Sequence, residues 1–178
     1  MRKPNLILLG GLIGAAAGWA LAKSHPPLET VSTVDLNRYL GRWYEIARYP
    51  NSFERKCARD VTAQYSLKPD GDIRVVNSCT TLSGSIARSV GTAKTADKST
   101  NAKLKVTFFW PFYGDYWIID LGRDYDYAVV GEPSRKFLWI LSRTSQMPQD
   151  LYLRVAARLA SKGYDASKLI PTRQTCEH

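Results

Sequence analysis

Short stretches of alternating or continuous apolar residues, separated by turn residues, cover the chain between residues 42 and 142. Alternation is clearest over residues 61–67, and the turn that follows contains Gly71, which can take a positive φ. Eight such stretches at hairpin spacing are typical of an all-β barrel or sandwich with antiparallel strands. The predicted strands cover residues 42–49, 61–67, 73–77, 86–95, 103–110, 116–121, 125–131 and 137–142.

A helical pattern occurs twice. Residues 33–40 form a predicted helical turn that Thr33 or Asp35 can cap. Residues 148–162 carry one apolar stripe about three turns long, and Gly163 follows where a left-handed C-terminal cap is favoured. Because this helix comes after the last strand, we expect its stripe to pack against the outside of the sheet.

The first 22 residues resemble a targeting segment. Arg2 and Lys3 precede an uncharged, apolar run over residues 6–22, and Lys23 follows it. This order, with small residues at the end of the run, is typical of an export signal. The run of about 17 residues also reaches the lower limit for a bilayer span, so an uncleaved anchor remains open.

Both interpretations place the rest of the chain outside the cytoplasm, either in a periplasm or anchored to a membrane that faces it. We therefore predict a signal peptide or membrane anchor at residues 1–22, a linker at 23–32 and one folded domain at 33–178.

The net charge of +9 comes from basic residues that are scattered along the chain, with no run longer than two. Nucleic-acid-binding surfaces concentrate such residues in one stripe, so the pattern disfavours that class of partner. Diffuse positive charge instead raises the local concentration of anionic lipid headgroups.

Cysteine and histidine residues are few. Cys57, Cys79 and Cys176 allow one disulfide in an exported protein, and their spacing contains no CxxC pair. The two histidines, His25 and His178, both lie near the termini. A zinc site needs three or four converging ligands, so the sequence predicts no metal site and no cofactor.

Three segments resemble the signature regions of the lipocalin family. The Gly-Arg-Trp of residues 41–43 is similar to its G-x-W motif, residues 125–133 to its second region and residues 138–143 to its third. The amino-acid sequences of these segments are most similar to those of the branch that contains the bacterial lipocalins and apolipoprotein D. The resemblance covers about residues 33–172, and it implies an eight-stranded antiparallel up-and-down barrel with one C-terminal helix packed outside.

The resemblance also implies a structural signature formed by Gly41, Trp43, Asp126 and Arg143. In the family the arginine lies across the tryptophan indole at the closed end of the barrel, a contact worth about 0.5–2 kcal/mol. Many bacterial relatives are outer-membrane lipoproteins that are attached through a cysteine at the end of the signal peptide. Residues 6–23 contain no cysteine, so the sequence excludes that attachment here.

Two pairings of the cysteines remain open. Cys57 precedes one strand of a hairpin and Cys79 ends the other, but simple pairing places Cys79 opposite residue 61 or 62. A bulge or loop excursion is therefore needed to bring these two sulfurs together. The rival, Cys57 to Cys176, is similar to bonds elsewhere in the family that tie the C-terminal tail to the barrel. We favour Cys57–Cys79.

Alternation predicts which side chains face the barrel interior, because successive residues of a strand point to opposite faces. Both faces are apolar between residues 137 and 141, and there the resemblance to apolipoprotein D favours Trp139 as a lining residue. Phe53 lies in the first long loop, at the mouth. The predicted cavity residues are Tyr65, Phe108, Trp110, Tyr116, Trp139 and Phe53.

An apolar, aromatic sleeve with phenol and indole donors suits an acyl chain with a polar end. We therefore expect binding, storage or transport of fatty acids or lysophospholipids in the bacterial cell envelope, with a homodimer through Phe112 and Tyr113 as a further interpretation. The alternatives are an envelope scaffold whose aromatic residues fill the barrel, and a lipid-modifying enzyme. Catalysis is disfavoured because we expect no histidine and no carboxylate pair at inward positions.

Overall fold

Residues 26–175 are described by a computed structural model of the chain, in which eight antiparallel strands form one closed sheet. The strands pair in chain order from β2 to β8, β8 pairs with β1, and pairing of β1 with β2 closes the barrel. This confirms the predicted up-and-down barrel. The strands are β1 (Gly41–Arg48), β2 (Cys57–Leu67), β3 (Ile73–Thr81), β4 (Ile86–Thr95), β5 (Lys103–Phe109), β6 (Phe112–Leu121), β7 (Tyr127–Gly131) and β8 (Leu138–Ser142).

The connections alternate between the two ends of the barrel. One end, the closed end, carries the short helix α1 (Leu36–Tyr39), whose first turn is capped by the carboxylate of Asp35 accepting from the backbone N–H of Asn37 at 2.9 Å. The other end is the open end. Its loops and turns are residues 49–56, 82–85, 110–111 and 132–137, which join successive strands.

The C-terminal helix α2 (Gln149–Leu159) packs on the outside of the barrel, as the sequence predicted. Its buried residues Val155 and Leu159 join an apolar cluster with outward-facing side chains such as Val129 and Ile140. A single 3₁₀ turn prolongs the helix, and Gly163 then takes a φ of 79°. Only glycine adopts this conformation readily, which explains why the helix ends there.

The start of the described chain is attached to the barrel along residues 26–32. Leu28 is buried in the outer apolar cluster, and the backbone N–H of Val31 donates to the carbonyl of Ile118 at 3.0 Å. Residues 26–32, which fall within the predicted linker, therefore pack against the sheet through Leu28 and Val31. The predicted signal or anchor segment lies outside the described residues. Within residues 26–175, no helix is both long and apolar enough to cross a bilayer.

The C-terminal tail completes the wall of the barrel near the open end. The pairing of β1 with β2 runs only from Gly41 to Tyr44 on β1, and the short strand β9 (Ile170–Pro171) pairs with the rest of that edge. The amide of Gln174 then bridges the gap by donating to the carbonyls of Glu45 and Val61 at 2.8 and 2.9 Å. The tail is therefore part of the barrel.

Arg143 seals the closed end. Its guanidinium carbon lies 3.8 Å from the centre of the Trp43 ring. The same group donates hydrogen bonds to the carbonyl of Arg38 at 2.6 Å, of Arg42 at 2.9 Å and of Tyr125 at 3.2 Å. One side chain thus joins α1, the start of β1 and the loop before β7.

The other signature residues adapt the backbone to this seal. Gly41 has a φ of 93°, and a Cβ at this position would lie 3.3 Å from Nη1 of Arg143. Asp126 contributes its backbone carbonyl, which accepts from the Arg143 backbone N–H at 2.9 Å. A side chain at position 41 would therefore be strained by its backbone conformation and would crowd the guanidinium.

Replacing Arg143 with alanine is expected to lower the free energy of unfolding by about 2 kcal/mol, because the indole stack and three charge-assisted hydrogen bonds are lost together. Arg42→Ala is the matched control, since it removes an exposed arginine from the same end and should change stability by less than about 0.5 kcal/mol. Urea denaturation of both variants measures the difference. Equal, small losses would contradict the role assigned to Arg143.

Candidate functional site: the barrel lumen

Three tyrosines form the floor of the lumen. The hydroxyl of Tyr116 lies 2.8 Å from that of Tyr39 and 2.9 Å from that of Tyr65, so the three phenols share a hydrogen-bonded chain. Two of their three O–H donors are used within the chain. The third has no acceptor among the described residues, which leaves one hydrogen-bond donor available at the floor.

Burial keeps these phenols protonated. It raises the pKa of Tyr65 to about 12 and the pKa of Tyr39 and Tyr116 well above the ordinary value. All three groups are therefore neutral hydrogen-bond donors at physiological pH. An anionic group placed on the floor would find at most one free donor there, which is little compensation for the loss of its hydration.

The wall above the floor is mainly apolar. An interior cluster includes the fully buried Trp43 and Ile118, and partly buried side chains lie on it. Several inward-facing residues of this layer are therefore incompletely buried. The residues of this partly buried layer that matter for the site are Ala63, Val106, Tyr116 and Trp139.

Asn77 is a polar exception in this wall. It pairs with Ala63 across β2 and β3 and therefore faces the same side of the sheet. Its Oδ1 is buried and has no hydrogen-bond partner among the described residues. A buried carbonyl oxygen without a partner costs about 1–3 kcal/mol, so a donor from water or a ligand is expected at this position. Sequence alternation along β3 could have identified this residue.

The mouth of the lumen carries two carboxylates and one arginine. Nε of Arg48 lies 3.0 Å from Oε2 of Glu54 and 3.7 Å from Oε1 of Glu45. The indole N–H of Trp139 donates to Oε1 of Glu54 at 2.9 Å, and the hydroxyl of Thr172 donates to Glu45. Burial, and secondly the nearby Glu54, raise the pKa of Glu45 well above its ordinary value.

This mouth cluster corrects the expectation that no carboxylate pair faces the interior. Glu45 follows Trp43 at the next inward position of β1, so alternation could have revealed it. Glu54 comes from the loop between β1 and β2, where no periodicity applies. Nε of Arg48 and Oε2 of Glu54 are both buried and form no aligned hydrogen bond, so the cluster retains polar atoms without hydrogen-bond partners.

The six predicted cavity residues divide into two groups. Tyr65, Tyr116 and Trp139 lie in or against the interior cluster. Phe108 lies at the mouth: it is 45% exposed, and a Cβ added to Gly91 would come within 2.8 Å of its ring. The absence of a side chain at position 91 thus makes room for the Phe108 ring.

The other two cavity residues lie outside the lumen. The prediction for Trp110 is wrong, because β5 ends at Phe109 and Trp110 lies on the following turn, where it is 77% exposed. Inward and outward alternation does not continue past the end of a strand. Phe53 is also mainly exposed, and its ring contacts that of Phe137 at 5.3 Å on the loop across the mouth.

The disulfide joins Cys57 and Cys79, whose Cα atoms are 5.6 Å apart. Two register shifts between β2 and β3 move Cys57 into a position opposite Thr81, and Asp60 between them takes a φ of 56°. These shifts supply the bulge that simple hairpin pairing lacked. The rival partner, Cys176, lies outside the described residues.

The fold and site define a class of protein: a closed antiparallel barrel, sealed at one end by Arg143 and lined inside mainly by apolar side chains. Residues 34–174 match the profile of the Lipocalin-like domain. The chain therefore belongs to the lipocalin family.

Known proteins agree with this assignment over most of the chain. It is 44% identical to temperature-induced lipocalin-1 of Arabidopsis thaliana over 156 residues, which is 83% of each chain. It is 42% identical to outer membrane lipoprotein Blc of Escherichia coli K12 over 158 residues, 87% of this chain and 89% of that one. Insecticyanin from the tobacco hornworm Manduca sexta has the same fold, with a TM-score of 0.69 and 24% identity over 84% of this chain and 86% of its own.

Removing the central hydroxyl of the tyrosine chain should be more destabilising than removing a terminal one. Tyr116→Phe leaves two buried hydroxyls without partners and is expected to lower the free energy of unfolding by about 2–3 kcal/mol. Tyr65→Phe leaves the bond between Tyr39 and Tyr116 intact, and about 1 kcal/mol is expected. Denaturant titration compares the two, and equal losses would show that the chain does not act as a unit.

Proposed function

We propose that the protein binds an amphipathic lipid, a fatty acid or a lysophospholipid, with its acyl chain in the lumen and its polar end at the mouth. The observation that carries this proposal is the contrast between the two ends of the lumen. The floor is closed by buried rings and neutral phenols, whereas the mouth carries an arginine and two carboxylates whose polar atoms are incompletely paired.

Size and polarity both favour an acyl chain. An eight-stranded barrel leaves room for its own side chains or for one small ligand. The partly buried layer of Ala63, Val106 and Trp139 offers apolar contacts along the length of a chain. The unpaired oxygen of Asn77 can accept a hydrogen bond from water that enters with a polar headgroup.

A charged or zwitterionic headgroup is better accommodated at the mouth than at the floor. Transferring an ionised group to a buried site requires several hydrogen bonds or an opposite charge. The floor provides one free O–H, whereas the mouth carries the polar cluster of Arg48, Glu45 and Glu54 next to solvent-facing loops. The headgroup can therefore keep part of its hydration while the chain is buried.

We further propose that this binding takes place in the cell envelope, as a function of storage or transport without catalysis. Export is supported by the apolar segment at residues 6–22 and by the name of the related outer membrane lipoprotein. At the mouth, Glu54 interacts with Arg48 and Trp139, and Glu45 interacts with Arg48 and Thr172. These contacts hold the loop that carries Glu54 against the barrel, which is a structural role and not a catalytic one.

Filling the lumen should abolish lipid binding without unfolding the barrel. Ala63→Phe adds a ring to the inward face of β2, and Gln64→Phe, the matched control, adds the same ring to the exposed outer face one residue later. We expect delipidated protein, residues 24–178, to bind oleate and an oleoyl lysophospholipid with one-to-one saturation of Trp fluorescence. Gln64→Phe should retain this affinity, and Ala63→Phe should weaken it by about tenfold or more.

Two results would contradict the proposal. Absence of saturable binding to the unmodified protein would support the alternative of a scaffold with a filled barrel. Equal binding by both variants, with both folds intact by circular dichroism, would place the lipid outside the lumen.

A further inference from the structure

Large apolar side chains face solvent on two neighbouring hairpins at the open end. The hairpins are β3–β4 and β5–β6, which are neighbours in the sheet because β4 pairs with β5 over residues 92–95. Each of these side chains is at least 67% exposed. This group, the apolar rim, consists of Leu82, Ile86, Phe109, Trp110 and Phe112.

The apolar rim stabilises neither the barrel nor the lumen. Phe109 and Phe112 stack on each other, with ring centres 6.4 Å apart, while their outer faces stay in solvent. Large apolar side chains grouped on the exposed tips of neighbouring hairpins are typical of a site of contact with a protein or a membrane. Tryptophan in particular favours the boundary between water and lipid, because its ring is apolar and its N–H is polar.

Exposed basic side chains lie at the same end of the barrel as the rim. Arg55, Lys56, Arg88 and Lys136 lie on or next to the open-end loops and are exposed, and none has an ion-pair partner among the described residues. A surface that combines exposed aromatic rings with unpaired cations is complementary to anionic lipid headgroups over an apolar layer.

Acidic groups at the same end are engaged within the protein. Glu54 pairs with Arg48 at the mouth. Glu132 is buried and accepts from the backbone N–H of Ser134 at 2.7 Å, and Asp60 accepts from the backbone N–H of Thr175 at 2.6 Å. The exposed charged side chains without an ion-pair partner at this end are therefore mainly basic.

The described chain also begins at this end. The carbonyl of Pro26 accepts from Nη2 of Arg135, in the loop between β7 and β8, at 2.5 Å. Only residues 23–25 separate Pro26 from the apolar segment at residues 6–22. Because an extended chain spans at most about 3.6 Å per residue, a membrane that held this segment would lie within roughly 15 Å of Pro26.

We propose that the apolar rim docks on a bilayer that contains anionic lipids, so that the mouth of the barrel faces the membrane. The rim and the cations of the open end form the contact, and Pro26, the first described residue, contacts Arg135 at the same end. Docking concerns the outer surface of the hairpins and does not depend on the lumen being able to hold a lipid.

Quenching of Trp110 by lipid tests this docking in the full chain. Two proteins are reconstituted into vesicles whose lipids carry brominated acyl chains. One is the Trp19→Phe variant, and the other is the double variant Trp19→Phe, Trp110→Phe. The difference between the two emission spectra isolates Trp110. We expect strong quenching in phosphatidylcholine vesicles that contain phosphatidylglycerol, and weaker quenching when salt screens the charges.

Two charge variants separate docking from general attraction. Each basic residue near an anionic surface favours the bound state by about fivefold, so Arg55→Gln, Lys56→Gln and Arg88→Gln together should lower the docking equilibrium by roughly 100-fold. The matched variant, Arg42→Gln, Lys98→Gln and Arg123→Gln, removes the same charge from the closed end and should retain the quenching. Thermal melting of both variants checks that the barrel is intact.

Three outcomes would overturn the proposal. The first is Trp110 emission that no vesicle composition quenches. The second is an equal loss of quenching in both charge variants, which would indicate attraction by net charge alone. The third is a dimer in sedimentation that shields Trp110 from an aqueous quencher without lipid, which would assign the rim to a second copy of the chain.

Discussion

The contact between Arg143 and Trp43 organises the closed end, and the lumen depends on it. The guanidinium stacks on the indole and donates to carbonyls from three separate segments, which fixes the position of α1 beneath the barrel. Trp43 in turn donates its indole N–H to the carbonyl of Tyr39 at 2.9 Å. Because Tyr39 begins the chain of phenols, the seal outside the barrel also determines the arrangement of the floor inside it.

The lumen that results is chemically asymmetric. Buried rings and neutral hydroxyls at the floor satisfy one another almost completely, so a long apolar group can approach them while an ion gains little there. At the mouth, Arg48, Glu45 and Glu54 are close together but incompletely hydrogen-bonded. Such an interior suits a molecule with one apolar and one polar end, entering with its apolar end first.

The open half of the barrel depends on distant parts of the chain. The tail around Gln174 fills the gap where β1 and β2 separate, and the disulfide between Cys57 and Cys79 ties β2, which borders that gap, to β3. The mouth can therefore carry polar and partly paired groups because its backbone is held by a covalent bond and by tail hydrogen bonds. The same support keeps the neighbouring hairpins, with their exposed aromatic side chains, in a defined position.

Alternation of apolar residues predicted the barrel because a closed sheet imposes the same two-residue period on every strand. It placed Tyr65 and Tyr116 inside for that reason, and the lipocalin resemblance added Trp139, whose strand is apolar on both faces. The prediction from alternation failed wherever the two-residue period of a strand is interrupted. Trp110 lies just beyond a strand end, and Glu54 reaches the lumen from a loop.

The packing of residues 26–32 was not predictable for a different reason. Leu28 packs on the outer surface of the barrel in a segment that has no secondary structure, so no periodic signal marks it. Likewise, the pairing of Cys57 with Cys79 depends on two register shifts that residue spacing does not reveal. Both features follow from tertiary packing, and the local pattern of apolar and polar residues along the chain does not reveal it.

The central claim, an acyl chain inside the barrel, is tested most directly by a fatty acid that carries a nitroxide near the end of its chain. Ile118 faces the interior and its neighbour Ile119 faces outward, against the cluster that packs on α2. Binding in the lumen predicts that the nitroxide broadens the methyl signals of Ile118 and Val106 and leaves those of Ile119 and Val155 sharper. Equal broadening on both faces, or broadening confined to the outer face, would contradict the account.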